Sequence, residues 1–252
     1  AANGIGLAVA RHMADKGANV MCADAHEKKL AEEFGAAPED GNIRTFAGDL
    51  RQRLTIANLV SATIDAFDQV DILVNAARQV HMTSPLDPDD KSMSTMLDQN
   101  LLATLKLTQL VARRMIKQGE GSERACIGTI VNLSSIAAQI TRPELMAYSI
   151  SCAALNQMTR SLAVSLAPER IRVNAVAFGS VMSSSLKTFV KENPDYREQI
   201  ISQTPQGRIA GAREVAEAVQ FLASASSSFV TGEILTVDGG RSLLDPVVAP
   251  AH

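Results

Sequence analysis

The sequence predicts an α/β fold in which a doubly wound parallel sheet carries helices on both faces. Short apolar runs rich in Val, Ile and Leu alternate with helical segments along the chain. Two of these runs, 127–133 and 171–177, do not alternate between polar and apolar residues, so both of their faces should be buried. The 252 residues contain no repeat and no interdomain linker. We therefore expect a single domain over residues 1–252.

Composition excludes several classes of partner. The formal net charge is −3 and no basic block is present, which argues against nucleic acid binding. The cysteines Cys22, Cys126 and Cys152 match neither metal-ligand spacing nor a disulfide framework, which indicates a reducing compartment and no metal site. No apolar run reaches the roughly 18 residues that a membrane span requires, and no signal peptide is visible. We therefore expect a cytoplasmic protein without membrane contact.

The first segment has features of a nucleotide site. Gly4 and Gly6 stand just before an amphipathic helix that runs to about Lys16, and such a turn lets a pyrophosphate approach backbone N–H groups. The next strand, 19–23, ends in Asp24, whose carboxylate could accept hydrogen bonds from ribose hydroxyls and repel a 2′-phosphate. The alternative is that Asp24 caps the following helix. Together the three residues predict NAD rather than NADP.

A strand is missing before this glycine turn. In a doubly wound sheet that strand is central, so we expect the natural polypeptide to begin upstream of Ala1.

Two further strand ends carry candidate cofactor residues. The strand 43–47 precedes Asp49, which could either cap the next helix, 54–67, or bind an adenine amino group. The strand 71–75 runs into Ala76 and Ala77, which are small enough for a cofactor to lie against the backbone.

The middle of the chain holds the candidate chemistry. Ser135 follows the strand 127–133, and Tyr148, thirteen positions later, lies near the start of a helix over 147–166. A hydroxyl and a phenol brought together at a strand end can hold a carbonyl oxygen and exchange a proton with it. Asn100 lies in a Leu-rich helix predicted from about Met93 to 118, where a polar side chain needs a hydrogen-bond partner. An ordinary bond from this side chain to the backbone is one explanation for its presence.

The last third supplies a candidate substrate region. The strand 171–177 leads into Phe178 and Gly179, and residues 180–209 form a mixed segment that we expect to act as a lid over a moderately apolar alcohol or ketone. A helix over 214–222 and a strand over 234–237 follow. The apolar tail, 243–252, is a candidate contact between subunits.

These motifs together resemble the short-chain dehydrogenase/reductase family, in its single-domain Rossmann-like form, over nearly the whole chain. The resemblance rests on four segments: Asn3-Gly4-Ile5-Gly6, Asn75-Ala76-Ala77-Arg78, Ser135 with Tyr148, and Val237-Asp238-Gly239-Gly240. It implies that Ser135, Tyr148 and Asn100 are catalytic. It also implies that the cofactor is bound by Asn3, Gly4, Ile5, Gly6, Asp24, Asp49, Leu50, Asn75, Ala76, Ala77, Tyr148, Gly179, Val181 and Ser183.

The resemblance further implies an NAD-dependent oxidoreductase that interconverts an alcohol and a ketone by hydride transfer. Tyr148 would be the general acid–base, Ser135 would hold the carbonyl oxygen, and Asn100 would position a water in a proton relay. The small-molecule substrate cannot be named from the sequence. The family also implies a homotetramer or homodimer, formed through helices around 101–115 and 153–166.

Several residues depart from the family pattern at the site. Cys152 stands where the family has the lysine that lowers the tyrosine pKa, Phe178 replaces a proline, and Arg78 replaces a glycine. In addition, Ala76 replaces an asparagine, and Ser183 stands where a threonine commonly touches the nicotinamide amide. A neutral thiol cannot supply the positive charge of a lysine, so we expect a loss of about a hundredfold or more in rate. A redox role for Cys152 is a further alternative, although a buried cysteine is more often inert.

Three hypotheses therefore stay open at this point. The first is a working oxidoreductase in which another cation, with Arg78 as the candidate, compensates for the lysine. The second is a catalytically impaired or silent homologue that binds a nucleotide or serves as a partner subunit. The third is a scaffold whose cofactor crevice is filled by Arg78. The simpler alternative for Arg78 is a side chain that faces solvent or pairs with a carboxylate.

Overall fold

The computed structural model describes residues 1–35, 41–182 and 184–245. The α-helices in these ranges are α1 (Gly4–Asp15), α2 (Glu27–Phe34), α3 (Arg53–Phe67), α4 (Ser92–Met96), α5 (Ala103–Gln118), α6 (Met146–Leu166), α7 (Ser184–Glu192), α8 (Pro194–Ser202) and α9 (Ala212–Ala223). The strands are β1 (Val20–Asp24), β2 (Ile43–Ala47), β3 (Ile72–Asn75), β4 (Gly128–Ser135), β5 (Ile171–Phe178), β6 (Val181–Met182), β7 (Ala210–Gly211) and β8 (Ile234–Val237).

Every strand pair is parallel, as the alternation of strands and helices predicts. The main sheet has the order β3-β4-β5-β8, β1 pairs with β2, and the short β6 pairs with β7. Strands that run parallel end at the same edge, so the residues after β3, β4 and β5 come together. The predicted α/β class with a parallel sheet is confirmed.

The core lies on both faces of the main sheet. On one face Val131 and Val176 pack with Ile5 of α1 and Val219 of α9. On the other face the neighbouring strand residues pack against α3, α5 and α6, in a cluster that includes Ile130, Val173, Ile56, Leu107 and Ala163. Both β4 and β5 are buried along their whole length, which explains why their sequences do not alternate.

Three boundaries differ from the sequence prediction in ways that affect the site. β4 extends through Ser135, so this serine belongs to the strand end rather than to a loop after it. The predicted helix from about Met93 to 118 is divided by a π-helical turn, Leu97–Leu102, which contains Asn100. The segment 180–209, predicted as a flexible lid, contains β6, α7 and α8. Ser183 and tail residues 246–252 lie outside the described residues.

Within the described ranges, no helix combines the length and apolarity needed to cross a bilayer. The same residues contain no group of three or more His, Cys, Asp or Glu side chains placed to hold a metal ion.

Candidate active site

Ser135 and Tyr148 meet where β4 ends and α6 begins. Ser135 is the last residue of β4, and Tyr148 lies in the first turn of α6. The Ser135 hydroxyl lies near enough to the Tyr148 phenol to lower the pKa of Tyr148. The Oγ of Ser135 accepts a 3.1 Å hydrogen bond from the backbone N–H of Ala137. Both residues are buried. The structure therefore brings together the hydroxyl and the phenol that the spacing of the sequence singled out.

Arg78 reaches the same phenol from the neighbouring strand. Its Nη1 donates to the hydroxyl oxygen of Tyr148 at 2.8 Å and to the carbonyl oxygen of Ser134 at 3.2 Å. Its guanidinium carbon lies 4.3 Å from the centre of the Phe178 ring. Arg78 follows β3 by three residues, and β3 pairs directly with β4, which explains this reach. The alternative that Arg78 faces solvent or pairs with a carboxylate is wrong for this structure.

The surroundings of Tyr148 act on its pKa in opposite directions. Burial raises the pKa of Tyr148, and the positive charge of Arg78 lowers it. Cys152 raises the same pKa, whereas the Ser135 hydroxyl lowers it, and the net result lies above the ordinary value of 10. Burial also raises the pKa of the Cys152 thiol, although Arg78 opposes this effect. Both groups are therefore neutral at pH 7 in the ligand-free chain.

Asn100 fixes the backbone next to Arg78. Its Oδ1 accepts from the N–H of Gln79, and its Nδ2 donates to the carbonyl oxygen of Gln79, both at 2.9 Å. Nδ2 also donates to Oγ of Ser151 on α6 at 3.2 Å. The side-chain bond to backbone that the sequence left open as an explanation for Asn100 is thus present. Its role in a water relay stays a prediction.

Asp24 ties the glycine turn to the end of β1. Its Oδ2 accepts hydrogen bonds of 2.9 Å from the nitrogens of Ala1 and Ala2, and its Oδ1 accepts from the N–H of His26 at 3.0 Å. Burial raises the pKa of Asp24, whereas the hydrogen bonds from Ala2 and His26, together with the bond and the positive charge of the Ala1 amino group, lower it to about 2. The carboxylate is therefore charged at neutral pH. Its bond to His26 lies just ahead of α2, but the N-cap residue of α2 is His26 and no side chain among the described residues caps this helix, so the capping alternative for Asp24 is wrong.

The glycine turn packs against the end of β3. A Cβ on Gly6 would lie 3.3 Å from the Cβ of Ala76, so a side chain at position 6 would require Ala76 to move by a few tenths of an ångström. Gly4 has φ +58°, a left-handed conformation that glycine adopts without strain. Asn3 is the N-cap residue of α1, and Ile5 is buried in the core. A helix start that lies next to an accessible strand end is the arrangement that binds a pyrophosphate.

Two predicted cofactor residues have other partners. The Nδ2 of Asn75 donates to Oγ1 of Thr108 at 3.0 Å and to Oδ1 of Asn132 at 2.8 Å, so this side chain faces the core rather than a cofactor. Cofactor binding at position 75 stays a prediction, and these bonds leave it to the backbone of Asn75 rather than to its amide N–H groups. The carboxylate of Asp49 accepts hydrogen bonds from the guanidinium and the backbone N–H of Arg51. The N-cap residue of α3 is Gln52, and no side chain in the described ranges caps this helix, so the capping alternative for Asp49 is wrong and its adenine contact stays a prediction.

Of the other predicted cofactor residues, Ala77 is exposed and Ala76 and Leu50 are partly buried. Gly179 is closely surrounded, because a Cβ there would lie 2.8 Å from the Cβ of Asp238. Val181 is buried in β6. Ser183 lies outside the described residues. These positions are compatible with a dinucleotide along the carboxyl edge of the sheet, from the α1 turn towards Tyr148.

Sequence reasoning missed Phe178 and Gln79 as parts of the site. Phe178 supplies the ring under Arg78, and Gln79 supplies the backbone groups that Asn100 holds. A signal for Phe178 was present, because positions 78, 152 and 178 are all departures from the family pattern.

A cavity of about 590 Å³, lined about equally by polar and apolar atoms, opens beside Ser180 and the end of β8. Residues of several loops line it, among them Gln139, Ser180, Gln206 and Asp238. Its volume is in the range of small-molecule sites.

Known proteins similar to this chain are oxidoreductases. A family model described as "Enoyl-(Acyl carrier protein) reductase" matches residues 1–242. The chain is 32% identical to the 3-oxoacyl-[acyl-carrier-protein] reductase FabG of Thermotoga maritima, over 95% of this chain and 94% of that protein. It is 34% identical to the galactitol 2-dehydrogenase (L-tagatose-forming) of Cereibacter sphaeroides, over 96% of this chain and 92% of that protein. The solved structure of ElxO with NADP bound matches with a TM-score of 0.85 and 26% identity, over 96% of each chain.

Proposed function

Because the chain belongs to the short-chain dehydrogenase/reductase family of oxidoreductases, we propose that it is an NAD-dependent enzyme that interconverts a secondary alcohol and a ketone. The observation that carries this proposal is the meeting of the Ser135 hydroxyl and the Tyr148 phenol at the carboxyl edge of the sheet. The same edge holds the glycine turn of α1 beside Ala76. A dinucleotide bound along this edge would supply and accept the hydride.

Residues of the chain transfer the proton and stabilise the charge that develops on the substrate oxygen. In ketone reduction, Tyr148 donates its phenolic proton to the substrate oxygen, and in alcohol oxidation it accepts that proton. Ser135 donates a hydrogen bond to the same oxygen, which stabilises the negative charge that develops there. Asn100 holds the Gln79 backbone and Ser151 in place around them.

The preference for NAD is supported by Asp24. Its pKa of about 2 keeps the carboxylate negative at neutral pH, and a 2′-phosphate placed beside it would be repelled. The ElxO structure contains NADP, so relatives of this fold differ in the cofactor that they accept. The proposal for this chain therefore rests on its own acidic side chain.

A silent homologue is the alternative function, and Cys152 is the observation in its favour. Two observations weigh against it. The named relatives are a reductase and a dehydrogenase, and a cation does contact the Tyr148 phenol, although it comes from Arg78. We therefore favour the active enzyme.

We also propose a homo-oligomer, a tetramer or a dimer, in the cytoplasm. Apolar side chains on the surface of α6 support the first point, since Val164 is 78% exposed and Ile150 is 43% exposed. The free thiols of Cys22, Cys126 and Cys152 support the second. Light scattering coupled to size-exclusion chromatography measures the assembly.

Cofactor titration followed by turnover tests the function. NADH fluorescence reports binding without interference, because the chain contains no tryptophan. Bound cofactor would then be assayed with hydroxysteroids, acyl-thioester ketones and sugar alcohols. Saturable NADH binding with turnover of one class supports the proposal. Cofactor binding without turnover of any class supports the silent homologue, and absence of binding by NADH and NADPH overturns the oxidoreductase.

A further inference from the structure

We propose that Arg78, held on the ring of Phe178, is the cation that stabilises the phenolate of Tyr148 in place of the lysine that Cys152 replaces. Arg78 is thus a positioning residue that acts through Tyr148. This inference rests on the proposed function for its catalytic meaning. The contact joins two side chains of this chain, so it is testable by tyrosine titration without an activity assay.

The contact between Arg78 and Tyr148 has the geometry that a phenolate needs. Nη1 of Arg78 lies 2.8 Å from the phenolic oxygen. A guanidinium carries donors but no acceptor and stays protonated throughout the working pH range. When Tyr148 loses its proton, the neutral hydrogen bond becomes a charge-assisted one, which is about twice as strong. The interaction therefore favours the deprotonated phenol more than the protonated one.

The guanidinium is held in this position from two further sides. The Phe178 ring lies 4.3 Å from its ζ carbon, and the Ser134 carbonyl oxygen accepts from Nη1 at 3.2 Å. Phe178 is itself buried, so the stacking face is fixed by the core. A proline at position 178 would present no aromatic ring. Among the residues that the structure describes, no carboxylate forms an ion pair with Arg78. The positive charge of Arg78 can therefore act on the Tyr148 phenol without a competing anion.

Cys152 completes the explanation. It lies one turn after Tyr148 on α6, buried in a cluster with Met96 and Ala147. The charge of Arg78 acts on the thiol as well as on the phenol, which places both within its range. A lysine at position 152 would bring a second cation into that range and repel the first. A small neutral side chain avoids this repulsion, and a small cavity lined by Arg78, Asn100, Ser151 and Cys152 remains beside it.

The departures at positions 78, 152 and 178 therefore form one arrangement rather than three separate losses. Position 78 gains the cation, position 178 gains the ring that supports it, and position 152 loses the charge that would compete with it. The rival explanation is that Arg78 fills the cofactor crevice and blocks it. The two explanations predict opposite effects of removing the Arg78 side chain.

The first experiment measures the ionisation of Tyr148 directly. The chain has two tyrosines, Tyr148 and Tyr196, and no tryptophan, so in a Tyr196→Phe background the near-ultraviolet absorbance reports Tyr148 alone. We expect Arg78→Met to raise the titration midpoint by about one to three pH units, and Arg78→Lys to raise it less. Circular dichroism at each pH confirms that the chain stays folded.

The control for this titration is Arg213→Met. Arg213 is an exposed arginine of α9 that pairs with Glu217 at the surface, and its removal changes the net charge equally. We expect no shift of the Tyr148 midpoint in this variant. The proposal is overturned if Arg78→Met titrates as its background does, or if Arg213→Met shifts the midpoint as much as Arg78→Met.

The second experiment exchanges the two positions and uses the turnover and cofactor assays. We expect Arg78→Gly alone to lower kcat by about a hundredfold and Cys152→Lys alone to give no gain, whereas the double variant recovers much of the loss. A large gain from Cys152→Lys alone would contradict the proposal, because it would mean that the phenol lacks a cation. Tighter NADH binding and faster turnover in Arg78→Gly would instead show that Arg78 blocks the crevice.

The two experiments separate failure of the inference from failure of the proposed function. If no cofactor binds and no substrate is turned over, the tyrosine titration still decides whether Arg78 stabilises the phenolate. If turnover is found but the titration midpoint does not move, the oxidoreductase stands and the role of Arg78 is overturned.

Discussion

The side-chain amide of Asn75 donates a 2.8 Å hydrogen bond to Oδ1 of Asn132, its direct partner across β3 and β4. Asn132 passes the connection on, because its Nδ2 donates to Oγ1 of Thr159 on α6 at 2.9 Å. Asn75 also binds Thr108 on α5. This buried network joins two strands to the two helices behind them, three residues before Ser135. It therefore fixes α6, and with it Tyr148, relative to the strand end that carries the serine.

Replacing Asn132 by leucine should destabilise the fold through this network. The change leaves a buried amide N–H of Asn75 without its acceptor on Asn132, whereas the Thr159 hydroxyl keeps its bond to the carbonyl oxygen of Leu155. We expect the free energy of unfolding to fall by about 1–3 kcal/mol. Chemical denaturation measures the loss. Asn156→Leu is the matched control on α6, because Oδ1 of Asn156 is buried without a partner among the described residues. Equal losses in the two variants would contradict the importance of the network.

Replacing Tyr148 by phenylalanine should abolish proton transfer while leaving the cofactor site in place. We expect kcat to fall by about 10²–10⁴-fold, because the general acid–base group is removed. The dissociation constant of NADH should change by no more than about threefold, since the glycine turn and Asp24 are untouched. Steady-state kinetics and NADH fluorescence measure the two quantities. Tyr196→Phe is the control, and comparable kcat in both variants would refute the role of Tyr148.

Replacing Asp24 by asparagine should weaken discrimination against NADP. The amide keeps an oxygen that can accept the backbone hydrogen bonds of Ala2 or His26, but it removes the charge that repels a 2′-phosphate. We expect the ratio of kcat/KM for NAD over NADP to fall at least about tenfold. Asp49→Asn is the control, because Arg51 already pairs with that carboxylate. An unchanged ratio in Asp24→Asn would show that another group selects the cofactor.

Glu214 should make the stability of the chain depend on acid pH. A hydrogen bond from Arg208 and the N–H of Gly211 lower the pKa of Glu214 from 4.5 to about 2. A carboxyl whose pKa is lower in the folded chain stabilises it above the unfolded value. That contribution is therefore present above about pH 4.5 and is lost as the pH falls towards 2.

The test of this prediction is Glu214→Gln. Because the pair is exposed and screened by solvent, we expect a loss of about 1 kcal/mol at pH 7, mainly from the cap of α9. The difference from the unmodified chain should shrink in denaturation experiments as the pH approaches 2. Glu217→Gln, which removes a surface pair with Arg213, is the control and should cost less. A loss that stays constant with pH would contradict the prediction.

The sequence was sufficient for the order of the strands β1 to β5 and β8 and for the pairing of Ser135 with Tyr148, but not for the short elements of the segment 180–209. Apolar runs without alternation mark β4 and β5, and glycine and acidic residues at strand ends mark the edge where the site lies. These signals are local, since periodicity and turn chemistry depend on residues close together in the chain. The π-helical turn around Asn100 was not visible, because its residues have ordinary helix-forming character.

The sequence alone therefore determined the α/β class, the carboxyl edge of the sheet as the place of the site, and the hydroxyl groups of Ser135 and Tyr148 at that edge. It also identified Arg78, Cys152 and Phe178 as departures from the family pattern without explaining them. Only the tertiary structure decided that Arg78 contacts Tyr148, seventy positions away, and that the Asn75 side chain turns into the core. The physical reason is that the direction of a side chain at a strand end depends on which rings, carbonyls and amides the neighbouring strands bring beside it. Those partners lie far apart in the chain, and packing alone brings them together.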